Sequence, residues 1–223
     1  MNVTMLLYPG LTQLDLTGPY EVLSRFPELN LQLVWKTLDA VQDANGLKIL
    51  PTHTFESCST TDMLFVPGGP GQIAMMDDQQ VLGFLRERAS VARYTTSVCT
   101  GSLILAATGL LRGRKATCHW TSLDQLTMFD ITPVRDRVVV DGNLITGAGV
   151  TSGIDFALRL VSELFGSERA AKVRLSLEYD PRPLPGGSPE TASAELLVAA
   201  LKDIESFIER RRQVSQRAAE RLS

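Results

Sequence analysis

The sequence contains few of the residues that build disulfide frameworks or metal centres. Its 223 residues include three cysteines and two histidines. Cys58, Cys99 and Cys118 are odd in number and form no C-x-x-C pair, which argues against a disulfide framework and against a zinc site. Sparse cysteines of this kind are typical of a reducing cytoplasm, and we expect no metal site.

Long apolar runs and an excess of one charge are also absent. No stretch approaches the roughly 18 apolar residues of a membrane-spanning helix. The opening segment MNVTMLLYPG has no basic region and is interrupted by Pro9 and Gly10, which predicts a first strand rather than a signal peptide. The net charge of -3 gives no electrostatic reason to expect nucleic acid. We therefore expect a cytoplasmic domain whose partner is a small molecule or another protein, with no membrane association.

The most informative stretch that is present reads YTTSVCTGSLILAATG, from Tyr94 to Gly109. The β-rich residues before Cys99 predict a buried strand, and the small and apolar residues after it predict a helix. Cys99 then lies on a strand-to-helix turn, where the unpaired amides of Thr100 and Gly101 face any negative charge. Such a setting lowers a cysteine pKa from about 8.5 to roughly 3.5–7.5. A small buried hydrophobe is the alternative, but the glycine after the turn favours a nucleophile.

A second candidate, Asp15, lies in the segment LTQLDLTGPYEVLSRF. Apolar residues recur there at helical spacing, while Gly18 and Pro19 indicate a local restart with Pro19 in a first-turn position. Asp15 therefore lies in an apolar setting near the beginning of a helix. It is either a functional acid or a carboxylate favoured by the helix dipole.

Two glycine-rich segments are expected to border the same site. Pro67–Gly71 reads PGGPG and follows a predicted strand, so its backbone can approach a ligand and its amides can form an anion nest, with a sharp turn as the alternative. The glycines around Val150 are spaced one residue too far apart for a dinucleotide fingerprint. We interpret them as close backbone packing beside the Cys99 pocket.

His119 follows Cys99 by about twenty residues. It either touches the thiolate or caps a turn. Its neighbour Cys118 is expected to be buried packing, because no strand-to-helix turn accompanies it. The other histidine, His53, is interpreted as structural.

The order of elements predicts the fold. Strand-like and helix-like segments alternate, which favours an α/β fold with a doubly wound, mostly parallel sheet sandwiched by helices, as in flavodoxin-like proteins. Asp141-Gly142 adds a predicted hairpin. We expect this domain to span residues 1–180. Residues 181–223 are expected to form a linker and one long helix, packed on the domain or on a dimer partner, with five arginines on a solvated face.

The motifs DLTGP, PGG, SVCTGS and GVTSGIDFAL occur in this order along almost the whole chain. In them the chain resembles the ThiJ/PfpI family of the class I glutamine amidotransferase-like superfamily, and above all its isocyanide-hydrating branch. The resemblance implies that Cys99 is the nucleophile, that Asp15 is its acidic partner, and that the amides of Gly69 and Thr100 hold the developing negative charge. It also implies a homodimer.

Differences between branches of the family narrow the expected activity. Thr100 stands where peptidase-like members carry histidine, and Asp15 stands where glyoxalase-like members usually carry glutamate. Regulators that share the motifs continue into a DNA-binding domain, whereas this chain has only its helical tail. The resemblance thus implies hydration of an isocyanide to an N-substituted formamide through a Cys99 thioimidate, without metal or organic cofactor. A glyoxalase-like or other cysteine-dependent hydrolase or lyase is one alternative, and a ligand or oxidation sensor is another.

Overall fold

The computed structural model describes residues 1–182 and 184–222. In chain order the strands are β1 Asn2–Leu6, β2 Asn30–Trp35, β3 Val41–Gln42, β4 Lys48–Ile49, β5 His53–Thr54, β6 Met63–Val66, β7 Tyr94–Val98, β8 Lys115–Ala116, β9 Thr132–Pro133, β10 Val138–Asp141 and β11 Leu144–Gly147. The helices are α1 Gln13–Leu23, α2 Gln72–Met75, α3 Gln79–Val91, α4 Gly101–Ala107, a 3₁₀ helix Trp120–Phe129, α5 Ser152–Phe165, α6 Ser167–Ser176, α7 Ala194–Asp203 and α8 Glu205–Glu220.

A seven-stranded sheet organises the fold, in the order β10-β11-β7-β6-β1-β2-β5. Its neighbouring strands are parallel except for the antiparallel hairpin β10–β11. Every residue of β6 is buried, as expected for a central parallel strand that is covered on both faces. The predicted doubly wound, mostly parallel sheet is confirmed, and so is the hairpin at Asp141-Gly142.

The helices form two groups around this sheet. In one, α5 packs against α1, α6 and the strands β7, β10 and β11; in the other, α4 packs against α2, α3, the 3₁₀ helix and α8. Strands β6 and β7 end side by side, since Val66 pairs with Ser97. The segments that follow them, Pro67–Gly71 and Cys99, therefore meet at one edge of the sheet. Within the described ranges, no helix is both long and apolar enough to cross a membrane.

The helix around Asp15 differs from the sequence prediction. It does not restart at Pro19: α1 runs from Gln13 to Leu23 with Pro19 inside it. A proline there cannot donate to the carbonyl of Asp15, four residues earlier. The ring is accommodated because α5 presents Gly153 to it, and a Cβ added to Gly153 would lie 3.0 Å from the Pro19 Cδ.

The C-terminal segment also differs from the expected single helix. Its backbone leaves helical geometry at Ile204, with φ -120° and ψ 10°, and this residue separates α7 from α8. The apolar spacing continues through the break without proline or glycine, which explains why one helix was predicted. The two helices have different surroundings, because α7 buries no residue whereas α8 buries four against the domain.

Candidate active site

Cys99 lies on the turn between β7 and α4, as predicted. Its φ of 55° is in the left-handed region that a residue with a Cβ rarely adopts, and such backbone strain is concentrated at functional turns. Its amide donates to the Gly147 carbonyl oxygen at 3.0 Å, which ties the turn to the end of β11. The side chain is 4% exposed. The fold therefore fixes the thiol in a buried position at the sheet edge.

Asp15 lies beside this thiol. It is in the first turn of α1 and fully buried, and its Oδ2 accepts a hydrogen bond from the Gly68 amide at 3.0 Å. A Cβ added to Gly68 would lie 2.8 Å from both Asp15 Oδ2 and the Cys99 Cβ. The carboxyl and the thiol thus flank the Gly68 backbone. The PGG segment is needed here because any side chain at this position would collide with both groups.

Burial sets the protonation of this pair. It raises the pKa of Asp15 to about 7, while the Cys99 thiol and the Gly68 amide act in the opposite direction. Burial, and then the Asp15 carboxylate, raise the pKa of Cys99 well above its ordinary value. The sequence predicted a lowered pKa for this cysteine; the structure gives the opposite direction, because loss of water outweighs the single amide of Thr100 that faces the sulfur. Near neutral pH the pair therefore carries at most one negative charge.

The two amides expected to hold developing charge differ in their surroundings. The Thr100 amide interacts with the Cys99 sulfur. The Gly69 amide donates instead to Thr100 Oγ1 at 3.0 Å, so the threonine side chain already uses the donor that the sequence assigned to the reaction. Gly69 itself has a φ of 131°, and a Cβ there would lie 2.2 Å from the Thr12 nitrogen. This loop closely contacts the beginning of α1.

The two predicted pocket residues, His119 and Val150, line one cavity of about 450 Å³. The wall is built from three segments of the domain and from the linker, and its other residues are Thr117, Cys118, Trp120, Leu123, Arg135, Asp136, Arg137, Ala148, Gly149, Thr151 and Gly187–Glu190. The cavity is next to the Cys99 turn, because Ala148 directly follows Gly147, whose carbonyl oxygen accepts the Cys99 amide.

His119 caps the 3₁₀ helix. Its Nδ1 lies 2.8 Å from Thr121 Oγ1 and accepts the Thr121 amide at 3.4 Å. These are its hydrogen bonds within the described residues, and neither involves Cys99. Burial, and then the charge of Arg211, lower the pKa of His119 to about 4. Of the two interpretations of this histidine, the geometry supports the capping one.

Arg211 was missed by the sequence reasoning, which placed it on a solvated face of the C-terminal helix. It is 5% exposed, donating from Nε to Gln72 Oε1 at 3.0 Å and from Nη1 to Ser122 Oγ at 2.5 Å. No carboxylate pairs with it in the part of the chain that the structure describes. A signal was available: Arg211 follows Ile208 by three residues and so continues the apolar stripe of the helix.

The chain is similar to known proteins over most of its length. The model of the DJ-1/PfpI family matches residues 1–163. An isonitrile hydratase of Pseudomonas putida is 48% identical, and the alignment covers 100% of this chain and 98% of that protein. A crystal structure of a ThiJ/PfpI family protein from Pseudomonas syringae has a TM-score of 0.93 and 42% identity, covering 96% of this chain and 90% of that one. Drosophila melanogaster DJ-1beta has a TM-score of 0.73 and 26% identity, covering 81% and 98%.

The resemblance read from four short motifs is thereby confirmed over most of the chain. The matched segment contains both Asp15 and Cys99. On the extent of that match, the chain belongs to the DJ-1/PfpI family.

Proposed function

We propose that this protein is an isocyanide hydratase, which converts an isocyanide and water to an N-substituted formamide. The observation that carries the proposal is the buried carboxyl and thiol on either side of the Gly68 backbone. Isocyanide and isonitrile are two names for one functional group, so the P. putida relative supports the same chemistry. The reaction needs a nucleophile for the terminal carbon and an acid that protonates it, and Cys99 and Asp15 supply these.

The first half of the reaction follows from the raised pKa values. Above pH 7 the pair holds its one proton mainly on Cys99, since the pKa of Asp15 is about 7 and that of the thiol is higher. Asp15 takes this proton as general base while sulfur adds to the isocyanide carbon. The same proton then goes from Asp15 to that carbon. The product is a thioimidate, Cys99–S–CH=N–R, and Asp15 is again a carboxylate.

In the second half water enters. Asp15 removes a proton from the water as its oxygen attacks the thioimidate carbon, and returns that proton to the nitrogen. The tetrahedral adduct then loses its hydroxyl proton to Asp15 as the carbon–sulfur bond breaks. Formamide leaves, and the thiolate and the protonated carboxyl are restored as one proton shared by the pair. Turnover should therefore fall as pH decreases through about 7, where Asp15 can no longer accept the thiol proton.

The direct test is incubation with 4-nitrophenyl isocyanide, with formamide followed by absorbance. We expect the wild type to form formamide and Cys99→Ala to form none, while Cys118→Ala, which removes the neighbouring buried thiol, remains active. Formamide production by Cys99→Ala at the wild-type rate would refute the covalent mechanism. If the wild type also forms no formamide, consumption of methylglyoxal by the wild type would favour a glyoxalase-like hydrolase or lyase. A mass increase on Cys99 in mild peroxide would favour a sensor.

We infer in addition that the protein forms a homodimer. The support is α7, in which no residue is buried and Leu196, Val198 and Leu201 are 50%, 67% and 39% exposed. Apolar side chains concentrated on one short helix are typical of a surface that another protein covers. Light scattering tests this, since the chain has a mass of 24.4 kDa; a particle of that mass, rather than about twice it, would contradict the proposal.

A further inference from the structure

A chain of hydrogen bonds links the C-terminal helix to the cavity wall. Arg211 on α8 donates from Nη1 to Ser122 Oγ and, at 3.4 Å, to Thr121 Oγ1. Thr121 Oγ1 in turn lies 2.8 Å from His119 Nδ1, and His119 lines the cavity. A buried cation is thereby connected to a cavity-lining imidazole through one hydroxyl group.

The directions of these bonds fix the proton on the imidazole. The Thr121 backbone N–H can only donate, and it points at His119 Nδ1. Arg211 can also only donate, so Thr121 Oγ1 accepts from it and has its own hydroxyl proton left to donate to Nδ1. With two donors directed at it, Nδ1 is the unprotonated nitrogen. The neutral ring therefore carries its proton on Nε2.

This N–H is available to a ligand. Within the described residues Nε2 has no hydrogen-bond partner, and the adjacent Cδ2 lies 3.7 Å from the position of a Cβ added to Gly149, on the cavity wall. Burial and the nearby Arg211 charge both oppose protonation of the ring. Its interaction with a ligand is thus that of a neutral donor.

The two arginines of the cavity wall are already paired with carboxylates, and Asp136 on the same wall adds a further acidic side chain. Arg135 pairs with Glu190 at 3.1 Å, and Arg137 pairs with Asp155 at 2.6 Å. An anionic ligand would have to compete with these carboxylates. A neutral acceptor such as a carbonyl oxygen fits the uncharged N–H of His119 without that competition.

We propose that Arg211 is a positioning residue that, through Thr121, holds His119 as a neutral Nε2–H donor, and that this donor binds a carbonyl group on the substrate substituent. The cavity is lined by His119 and not by Cys99, so the histidine faces the substituent rather than the reacting carbon. The identity of the substrate rests on the proposed function. The hydrogen-bond relay does not.

Nitrogen-15 NMR of the imidazoles tests the relay without any turnover. The chain has two histidines, and a His53→Gln variant assigns the signals of His119. We expect the Nε2–H tautomer from pH 5.5 to pH 8 in the wild type. Arg211→Met should raise the titration midpoint of His119, and Thr121→Val, which removes the hydroxyl donor but keeps the backbone N–H, should populate the Nδ1–H tautomer beside the Nε2–H form. Arg212→Met, which removes a neighbouring arginine paired with Asp124 on the surface, is the matched control and should change neither signal.

A matched pair of ligands tests the binding role. In the Cys99→Ala protein, which cannot form the covalent adduct, 4-acetylphenyl isocyanide should bind about fivefold more tightly than 4-isopropylphenyl isocyanide and shift the His119 Nε2–H signal. His119→Phe should abolish this preference, and His119→Gln, which keeps an N–H donor, should retain part of it. Equal affinities in the Cys99→Ala protein, or an Nδ1–H tautomer in the wild type, would overturn the proposal. Failure of the proposed function appears separately, as absence of formamide from the wild type.

Discussion

Replacing Asp15 by asparagine should stabilise the folded protein while it removes the group to which we assign proton transfer. In the unfolded chain this carboxyl titrates near its ordinary pKa of 3.8, whereas in the folded protein its pKa is about 7. Between these values the folded state binds more protons than the unfolded state, so stability decreases as pH rises. Asparagine is neutral at every pH and avoids this loss, and its amide oxygen can still accept the Gly68 N–H.

The interval between the two pKa values gives the size of the stabilisation expected for Asp15→Asn. At 1.36 kcal/mol for each pH unit, the buried Asp15 costs about 1.5 kcal/mol at pH 5 and about 4 kcal/mol at pH 8 relative to a group that stays neutral. The difference in the free energy of unfolding between Asp15→Asn and wild type should therefore increase by about 2.5 kcal/mol over this range. Below about pH 4 the two proteins should converge, since both states of the wild type are then protonated.

Urea denaturation followed by the fluorescence of the two tryptophans measures this at each pH. Asp203→Asn is the matched control, because Asp203 is exposed on α7 and undergoes the same chemical change. For this control, the difference in the free energy of unfolding from wild type should not increase with pH. An Asp15→Asn protein that is less stable than wild type at pH 8, or a difference that does not change with pH, would refute the burial argument. Formamide production by the same variant should fall at least about a hundredfold.

Two further predictions concern the backbone around the pair. Gly68→Ala places a Cβ 2.5 Å from the Thr100 nitrogen and 2.8 Å from Asp15 Oδ2, so turnover should decrease about a hundredfold or more. The control is Gly83→Ala on α3, where an added Cβ meets no atom within 4 Å. This variant should leave turnover unchanged and stabilise the helix by about 0.5–1 kcal/mol. Thr100→Val leaves the Gly69 amide without its partner and should lower the free energy of unfolding by about 1–3 kcal/mol, whereas Thr100→Ser should retain most of it, as urea denaturation can show.

The position of Cys99 could be predicted from sequence because local patterns determine it. A β-rich run, a cysteine, a glycine and a helix of small residues specify a strand-to-helix turn almost without tertiary information. The direction of its pKa change could not be predicted in this way. That direction depends on how much water the surrounding layers exclude, and on Asp15, which is 84 positions earlier in the sequence.

Arg211 shows a different limit of sequence reasoning. Arginines interleaved with glutamates on a helix usually lie on a solvated face, and four of the five in the tail are not buried. The position of Arg211 on the apolar stripe distinguishes it, but its stability there depends on Gln72 and Ser122, two side chains from distant segments. A buried guanidinium is tolerated only where such donors are matched by acceptors. The tertiary contacts therefore decide its role.

The chain has a part that the family model matches and a C-terminal part that follows it, and this division bears on the choice of substrate. The family model ends at residue 163, so it contains the Asp15–Cys99 pair but neither Arg211 nor the linker residues Gly187–Glu190 that line the cavity. One fold can host unrelated activities when its site is surrounded differently. In the proposed reaction the pair supplies proton transfer and nucleophilic attack, and neither role depends on what is attached to the isocyanide group. The segment after residue 163 supplies part of the cavity wall and the cation that orients His119, so selectivity for the substituent has its physical basis in that segment.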